Sequence, residues 1–239
     1  MDLHDQRIVV LGGTSGIGLA TAQAAARRGA EVIVVSSRPA SVDRALAELP
    51  AGSSGRAADL TDFGQVRALF GELGDFDHLV FTAGEPLALV PLPGMDMDQA
   101  RQFFSLRYFG ALTAVQAAAP HLRPGGSITL TSGIASERPG PGWSLAASVC
   151  GAVEALTRAL AVELAPIRVN VVAPGVVRSP LWSTMDEAEQ ERLYKETGAA
   201  IPAGRVGEVT DIAQAYLFCV TQPFATGTVL TVDGGAVLA

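Results

Sequence analysis

Lysine is nearly absent from this chain. Lys195 is the single lysine among 17 basic residues, and the arginines are scattered along all 239 positions. Acidic residues outnumber basic ones, which gives a formal net charge of −7 at pH 7. Because nucleic-acid binding needs concentrated positive charge along a phosphate backbone, this distribution argues against a nucleic-acid partner.

Cysteine and histidine are also scarce, at two and three residues. Cys150 and Cys219 are too few for a disulfide framework. His4, His78 and His121 do not have the spacing of metal ligands. We therefore expect no metal site and a reducing, cytoplasmic environment.

Long apolar runs are missing as well. No uninterrupted apolar run approaches the ~18 residues of a membrane-spanning helix, and the first five residues lack the basic and apolar regions of a signal peptide. Apolar residues make up 49% of the chain and charged residues 17%, which is typical of globular proteins. The length fits one α/β domain over residues 1–239, with no membrane partner.

A glycine-rich turn near the N-terminus joins a predicted strand to a predicted helix. The strand covers Ile8–Leu11, the turn has glycines spaced G-x-x-x-G-x-G, and the Ala-rich helix covers Ile17–Arg28. Free N–H groups of the first helical turn can bind a pyrophosphate, although such turns also occur as plain connections. The candidate phosphate-binding residues are Gly12, Thr14, Ser15, Gly16, Ile17 and Gly18.

Apolar strands and helical patterns alternate along most of the remaining chain. Strands are predicted at 31–36, 56–59, 78–81, 127–132, 168–173 and 228–232, and helices at 41–49, 61–73, 95–119, 145–164 and 210–220. This alternation predicts a Rossmann-like, doubly wound α/β fold: one parallel sheet of about seven strands with helices on both faces. The Pro- and Gly-rich segment 174–207, with a short helix near 185–197, is predicted to be a mobile cover over the ligand crevice.

Several short motifs follow the predicted strands in a fixed order. They are Asp59-Leu60, Ala83-Gly84, Ser132, Arg168-Val169-Asn170, Pro174-Gly175, Gly204-Arg205-x-Gly207 with Asp211-Ile212-Ala213, and Val232-Asp233-Gly234-Gly235. Together with the glycine-rich turn they resemble the classical short-chain dehydrogenase/reductase family over essentially the whole chain. The resemblance implies a nicotinamide cofactor, a small-molecule substrate, and a homodimer or homotetramer paired through the two long helices.

The end of the second strand bears on the choice of cofactor. Ser37-Arg38 stands where a carboxylate would bind the adenosine ribose and repel a 2′-phosphate. A hydroxyl beside a guanidinium suits that phosphate, so NADP(H) is favoured over NAD(H). The alternative is an arginine that is simply solvated at the rim of the sheet.

The resemblance also assigns the remaining cofactor contacts. Asp59 and Leu60 would flank the adenine, and Ala83-Gly84 would line the path to the nicotinamide ribose. Val177 and Ser179, which follow Pro174-Gly175, would face the carboxamide. Asp59 could equally cap the next helix.

The catalytic positions depart from the family pattern. The family uses a Ser, a Tyr-x-x-x-Lys pair and an Asn; here Ser132 is kept, but Ala146, Cys150 and Arg107 stand at the Tyr, Lys and Asn positions. No Tyr-x-x-x-Lys occurs anywhere in the chain. Because an alanine cannot transfer a proton, and such help contributes ~10²–10⁴ in rate, we expect the family's standard reaction to be weak or absent.

Two of these substitutions have more than one interpretation. Cys150 could be a reactive thiol, but its Ala- and Val-rich helix favours a small buried side chain. Arg107 could anchor a substrate carboxylate, a bound phosphate or an internal acid, or could extend to the surface.

Three classes of function therefore remain open. The first is an NADP(H)-dependent oxidoreductase in which Ser132, helped by Arg107 or a water, polarises the carbonyl. The second is a nucleotide-binding sensor or partner subunit without turnover. The third is non-redox chemistry on the same scaffold, such as isomerisation, cyclisation or elimination.

Overall fold

A seven-stranded parallel sheet lies at the centre of the computed structural model, which describes residues 2–87 and 89–239. Its strand order is β3-β2-β1-β4-β5-β6-β9, as expected for the predicted doubly wound fold. The strands are β1 (Arg7–Leu11), β2 (Glu31–Ser36), β3 (Ser54–Ala57), β4 (Phe76–Phe81), β5 (Leu122–Thr131), β6 (Arg168–Pro174) and β9 (Val229–Val232).

Helices cover both faces of this sheet. Helices α1, α2 and α8 pack on one face, while α3, α5 and α6 pack on the other. The α-helices are α1 (Gly16–Ala26), α2 (Pro39–Glu48), α3 (Phe63–Leu73), α4 (Met97–Phe104), α5 (Ala111–Ala118), α6 (Ser144–Glu163), α7 (Glu187–Ala200) and α8 (Val209–Thr221).

Both faces of the central strands are buried, which explains why these strands are apolar throughout. In β1, Val9 and Leu11 pack into one core, whereas Ile8 and Val10 pack into the other. All four are at most 1% exposed. Burial of each such side chain contributes ~1.5–3 kcal/mol, so β1 stabilises the packing of helices on both faces of the sheet.

The predicted helix at 95–119 is wrong in one respect, because it is not continuous. A π-helical segment, Ser105–Gly110, separates α4 from α5. Its wider turn changes the direction of the side chains relative to the flanking helices, and such segments are frequent at functional sites. Arg107 lies on this segment.

The predicted cover is closed at its base by a two-stranded parallel sheet. Strand β7 (Val177–Arg178) pairs with β8 (Gly207–Glu208), with Val177 opposite Gly207. Between them lies α7, whose N-terminus has a capping box. The Arg178 guanidinium donates to both carboxylate oxygens of Glu191, at 2.7 and 3.1 Å, and so joins β7 to α7.

Helix α6 has the length and mean hydropathy, 1.5, of a helix able to cross a membrane. The sequence analysis found no uninterrupted apolar run of this length, because charged residues interrupt α6. Its mean hydropathy is nevertheless high. It packs against β5 and β6, and it buries Val149, Val153 and Leu160 in the core. These contacts identify α6 as a core helix of the sheet.

Candidate active site

One large cavity lies beyond the carboxyl ends of the strands, with a volume of about 1030 Å³. Every candidate site residue predicted from the sequence lines it. On the cofactor side these are Gly12, Thr14, Ser15, Gly16, Ile17, Gly18, Ser37, Arg38, Asp59, Leu60, Ala83, Gly84, Pro174, Gly175, Val177 and Ser179. On the catalytic side they are Arg107, Ser132, Ala146 and Cys150.

The glycine-rich turn brings the start of α1 against the cavity. Gly12 has a φ of +82°, and a Cβ there would lie 2.6 Å from the backbone nitrogen of Ala83. A Cβ on Gly18 would lie 2.2 Å from the carbonyl oxygen of Gly12, so helix and turn pack backbone to backbone. No side chain among the described residues caps α1, and Ser15 stands at its N-cap. The uncapped N–H groups and the helix dipole fit a phosphate group.

Ser37 and Arg38 lie at the same end of the cavity, just after β2. Both side chains are exposed, and Arg38 occupies the N-cap position of α2 without a capping hydrogen bond. A positive, solvent-accessible group at this strand end fits an anionic substituent on a ribose.

Asp59 holds a local turn rather than a helix. Its Oδ1 accepts hydrogen bonds from the backbone nitrogen of Thr61 at 2.9 Å and from the Thr61 hydroxyl at 2.7 Å. The side chain that caps α3 is Asp62, which accepts from the backbone nitrogens of Gly64 and Gln65. The alternative that Asp59 caps the helix is therefore wrong.

Arg107 meets an internal acid, which was one of its four possible roles. Its guanidinium donates to the carbonyl oxygen of Glu85, and its Nε lies 3.7 Å from a Glu85 carboxylate oxygen. The guanidinium carbon lies 4.8 Å from the centre of the Phe103 ring, a cation–π distance. Burial lowers the pKa of Arg107, and the charge of Glu85 opposes this shift.

The Arg107 side chain also lies directly against the path past Ala83-Gly84. A Cβ on Gly84 would lie only 2.6 Å from Nη1 of Arg107. A side chain at position 84 would displace the guanidinium from this position beside the backbone. The guanidinium thus lines the cavity beside Gly84, with 18% of the Arg107 side chain exposed.

Ser132 is hydrogen-bonded to a buried carboxylate that the sequence interpretation missed. Its hydroxyl donates to Oε1 of Glu154 at 2.6 Å, and the hydroxyl of Ser136 donates to the same oxygen at 2.6 Å. Glu154 is only 8% exposed. A signal was present in the sequence: Glu154 follows Cys150 by four residues, so it shares a face of α6 with the catalytic positions.

Ala146 and Cys150 line the cavity one helical turn apart on α6. Burial raises the pKa of the Cys150 thiol to about 11, and the Ser132 hydroxyl and Arg107 oppose this only in part. The thiol therefore stays protonated near neutral pH, which favours a packing role over a nucleophilic one. No cluster of potential metal ligands occurs among the residues that the structure describes.

The far end of the cavity is apolar and aromatic. Leu87, Trp143, Leu181 and Trp182 line it, and the two indole rings have centroids 6.5 Å apart. Trp182 is 3% exposed, and its Nε1 donates to the carbonyl oxygen of Val177 at 3.0 Å, which fixes the ring within the segment 174–207. The sequence interpretation did not single out these residues. The walls suit a large, flat apolar molecule.

Comparisons with known proteins agree with this geometry. A model of the SDR-like Rossmann domain matches residues 2–239. The short-chain dehydrogenase/reductase fsr5 of Gibberella fujikuroi is 33% identical over 254 residues, which span 99% of this chain and 96% of that relative.

Two solved structures share the fold over nearly their full lengths. A small-chain dehydrogenase in complex with NADPH is 36% identical with a TM-score of 0.87, and the match covers 98% of this chain and 99% of the other. The MalC reductase/Diels-Alderase from Malbranchea aurantiaca is 30% identical with a TM-score of 0.92, and the match covers 99% and 98%.

Proposed function

The chain belongs to the short-chain dehydrogenase/reductase family of oxidoreductases, and from this premise we propose that it reduces a bulky apolar ketone, or oxidises the matching alcohol, with NADP(H). The observation that carries the proposal is one large cavity lined by an uncapped helix N-terminus, by Ser132 and Arg107, and by a set of apolar side chains. Each of these three parts suits one part of the reaction.

The residues that would hold the cofactor follow the length of the cavity. The Gly12–Gly18 turn would bind the pyrophosphate, and Ser37 and Arg38 would bind the 2′-phosphate. Asp59 and Leu60 would flank the adenine, Ala83 and Gly84 the nicotinamide ribose, and Val177 and Ser179, beyond Pro174-Gly175, the carboxamide. When bound, NADPH supplies the hydride.

Ser132 and Arg107 would contact the oxygen of the substrate. Both line the cavity that also contains the proposed nicotinamide site and the apolar end. A guanidinium held in a partly buried site stabilises negative charge that develops on a carbonyl oxygen more strongly than it would in water. The tryptophan-lined end would hold the apolar body of the substrate and exclude water.

The preference for NADP(H) over NAD(H) is supported by the position of Arg38. Its exposed guanidinium stands at the end of β2, with no acidic side chain at positions 36–38 to repel a phosphate. The related dehydrogenase solved in complex with NADPH supports a nicotinamide cofactor.

The test has two steps. NADPH binding is titrated by the change in its fluorescence, and its oxidation is then followed across a panel of bulky ketones, with small ketones as the comparison. We expect binding, followed by oxidation that favours the bulky ketones. Binding without oxidation of any ketone would leave a sensor or partner subunit as the better interpretation.

A second candidate is non-redox chemistry in the same cavity. Ala146 and Cys150 favour it, because they cannot form the family's proton-transfer pair. The related MalC, a reductase/Diels-Alderase, also favours it. Mass spectrometry of the product separates the two candidates. Reduction adds two hydrogens, whereas isomerisation or cyclisation leaves the mass unchanged.

We further propose a cytoplasmic homodimer or homotetramer of single-domain chains, with residues 174–207 as a mobile cover. The α4–α5 region supports the assembly because it exposes Met97 and Phe109, at 59% and 47%. A monomeric mass at micromolar concentration would contradict it.

A further inference from the structure

We propose that Ser132 and Glu154 form a proton relay that performs the work of the missing tyrosine. This inference rests on the proposed oxidoreductase function. It starts from the direction of one hydrogen bond, from Ser132 to Glu154, and assigns a role to a carboxylate that contacts the reacting atoms only through that serine.

The Ser132 hydroxyl has a single hydrogen, and its short hydrogen bond to Glu154, which does not line the cavity, directs that hydrogen away from the cavity. The Glu154 oxygen lies 2.6 Å from Oγ, whereas the other acceptor, the carbonyl oxygen of Gly133, lies at 3.4 Å. A carboxylate at the shorter distance is also the stronger acceptor. Ser132 consequently turns its oxygen lone pairs, rather than its hydrogen, toward the cavity.

This orientation suits the removal of a proton from an alcohol. The substrate hydroxyl donates to Ser132 Oγ, its proton moves to that oxygen, and the original Ser132 proton moves to Glu154. A bound NADP⁺ would accept the carbinol hydrogen as hydride, and the products would be a ketone, NADPH and a protonated Glu154. In the reverse direction Glu154 returns its proton to Ser132, which protonates the new alkoxide.

The groups at the other catalytic positions do not offer this route. Ala146 has no transferable proton, and burial keeps the Cys150 thiol protonated. Arg107 is held by Glu85 and donates without releasing a proton. Ser136 donates to the same Glu154 oxygen but does not line the cavity, so it supports the carboxylate without touching the substrate.

The decisive variant is Glu154→Gln, because the amide oxygen can still accept from both serines but cannot take a proton. We expect kcat to fall by ~10²-fold or more, the lower bound typical of lost acid–base help, with KM changed by less than about twofold. NADPH affinity from fluorescence and the thermal midpoint should match those of the parent. Glu163→Gln, which makes the same change at an exposed carboxylate of α6 outside the site, should keep the parent's kcat.

Two further measurements test whether the residues act as one unit. Ser132→Ala combined with Glu154→Gln should be no slower than the slower single variant, since residues of one relay are not additive. In mixtures of H₂O and D₂O, the parent's rate should depend on deuterium content with the curvature of two moving protons. This second measurement needs no variant to fold.

Each outcome decides the matter. A Glu154→Gln protein that binds NADPH and keeps the parent's kcat overturns the relay and leaves the proposed reaction intact. A linear deuterium dependence also overturns the relay. A parent that binds NADPH and turns over none of the ketones or alcohols overturns the proposed reaction and the relay together.

Discussion

Lowering the pH from 7 to 5 is expected to destabilise the protein through His78, a buried residue of β4. The ring is 3% exposed, its Nδ1 lies 2.8 Å from the Ser127 hydroxyl, and its Nε2 lies 2.8 Å from the amide oxygen of Gln6. Because Gln6 presents an oxygen, Nε2 carries the hydrogen and Nδ1 accepts from Ser127. The neutral ring is therefore fully hydrogen-bonded.

The size of the effect follows from the pKa of His78. Burial, and to a smaller extent the charge of Arg168, lower it from 6.5 to about 4, while Asp77 opposes the shift. The folded pKa lies below the unfolded one, so this stability is fully present above pH 6.5 and is lost as the pH falls from 6.5 toward 4. At ~1.36 kcal/mol for each pH unit, about 2 kcal/mol is lost by pH 5.

Urea unfolding at pH 7 and pH 5 measures this loss. His78→Gln cannot titrate, so its free energy of unfolding should fall by ~2 kcal/mol less than that of the parent over the same interval. His121→Gln, at a partly exposed histidine, serves as the control and should behave like the parent. Equal losses in all three proteins would refute the reasoning, because acidic groups elsewhere are common to them.

Three other predictions concern the cavity. Arg38→Ala should weaken NADPH binding by ten- to a hundredfold, the equivalent of ~1.5–3 kcal/mol, and leave NADH nearly unchanged, whereas Arg44→Ala should affect neither; fluorescence titration checks this. Gly18→Ala should lower the free energy of unfolding by ~1–3 kcal/mol in urea, since its Cβ would overlap a turn carbonyl, and an unchanged value would contradict the tight packing. Ala146→Tyr combined with Cys150→Lys should raise NADPH oxidation with an activated ketone above the parent, while either change alone does little; no gain in a folded, NADPH-binding double variant would indicate that the site has also changed shape.

The sheet and its helices were predictable because their signals are local. The apolar run of β1 requires a strand that is buried on both faces. The glycines at 12 and 18 require a tight turn between strand and helix. The break at Ser105–Gly110 was not predictable in this way. Nothing in the local pattern distinguishes a π turn from the helix on either side, because its cause lies in packing rather than in propensity.

The site was predictable by position but not by contact. The motifs placed Ser132 and Arg107 beyond the strands, and both line the cavity. Their partners come from elsewhere in the chain: Glu154 is 22 residues from Ser132, and Glu85 is 22 residues from Arg107. Hydrogen bonds across such separations depend on how helices pack on the sheet, which a strand-and-helix pattern does not specify.

Because β7 pairs with β8, the segment between these two strands can be replaced without disturbing the central sheet. Both ends of the segment are fixed at the same point of the scaffold, with Val177 opposite Gly207, before the chain departs and after it returns. For such a loop, doubling the length costs only ~0.6 kcal/mol of closure entropy. Insertions or replacements between these strands can therefore reshape the apolar end of the cavity while the sheet and its core stay in place. The shape of this end of the cavity can thus change without a new fold.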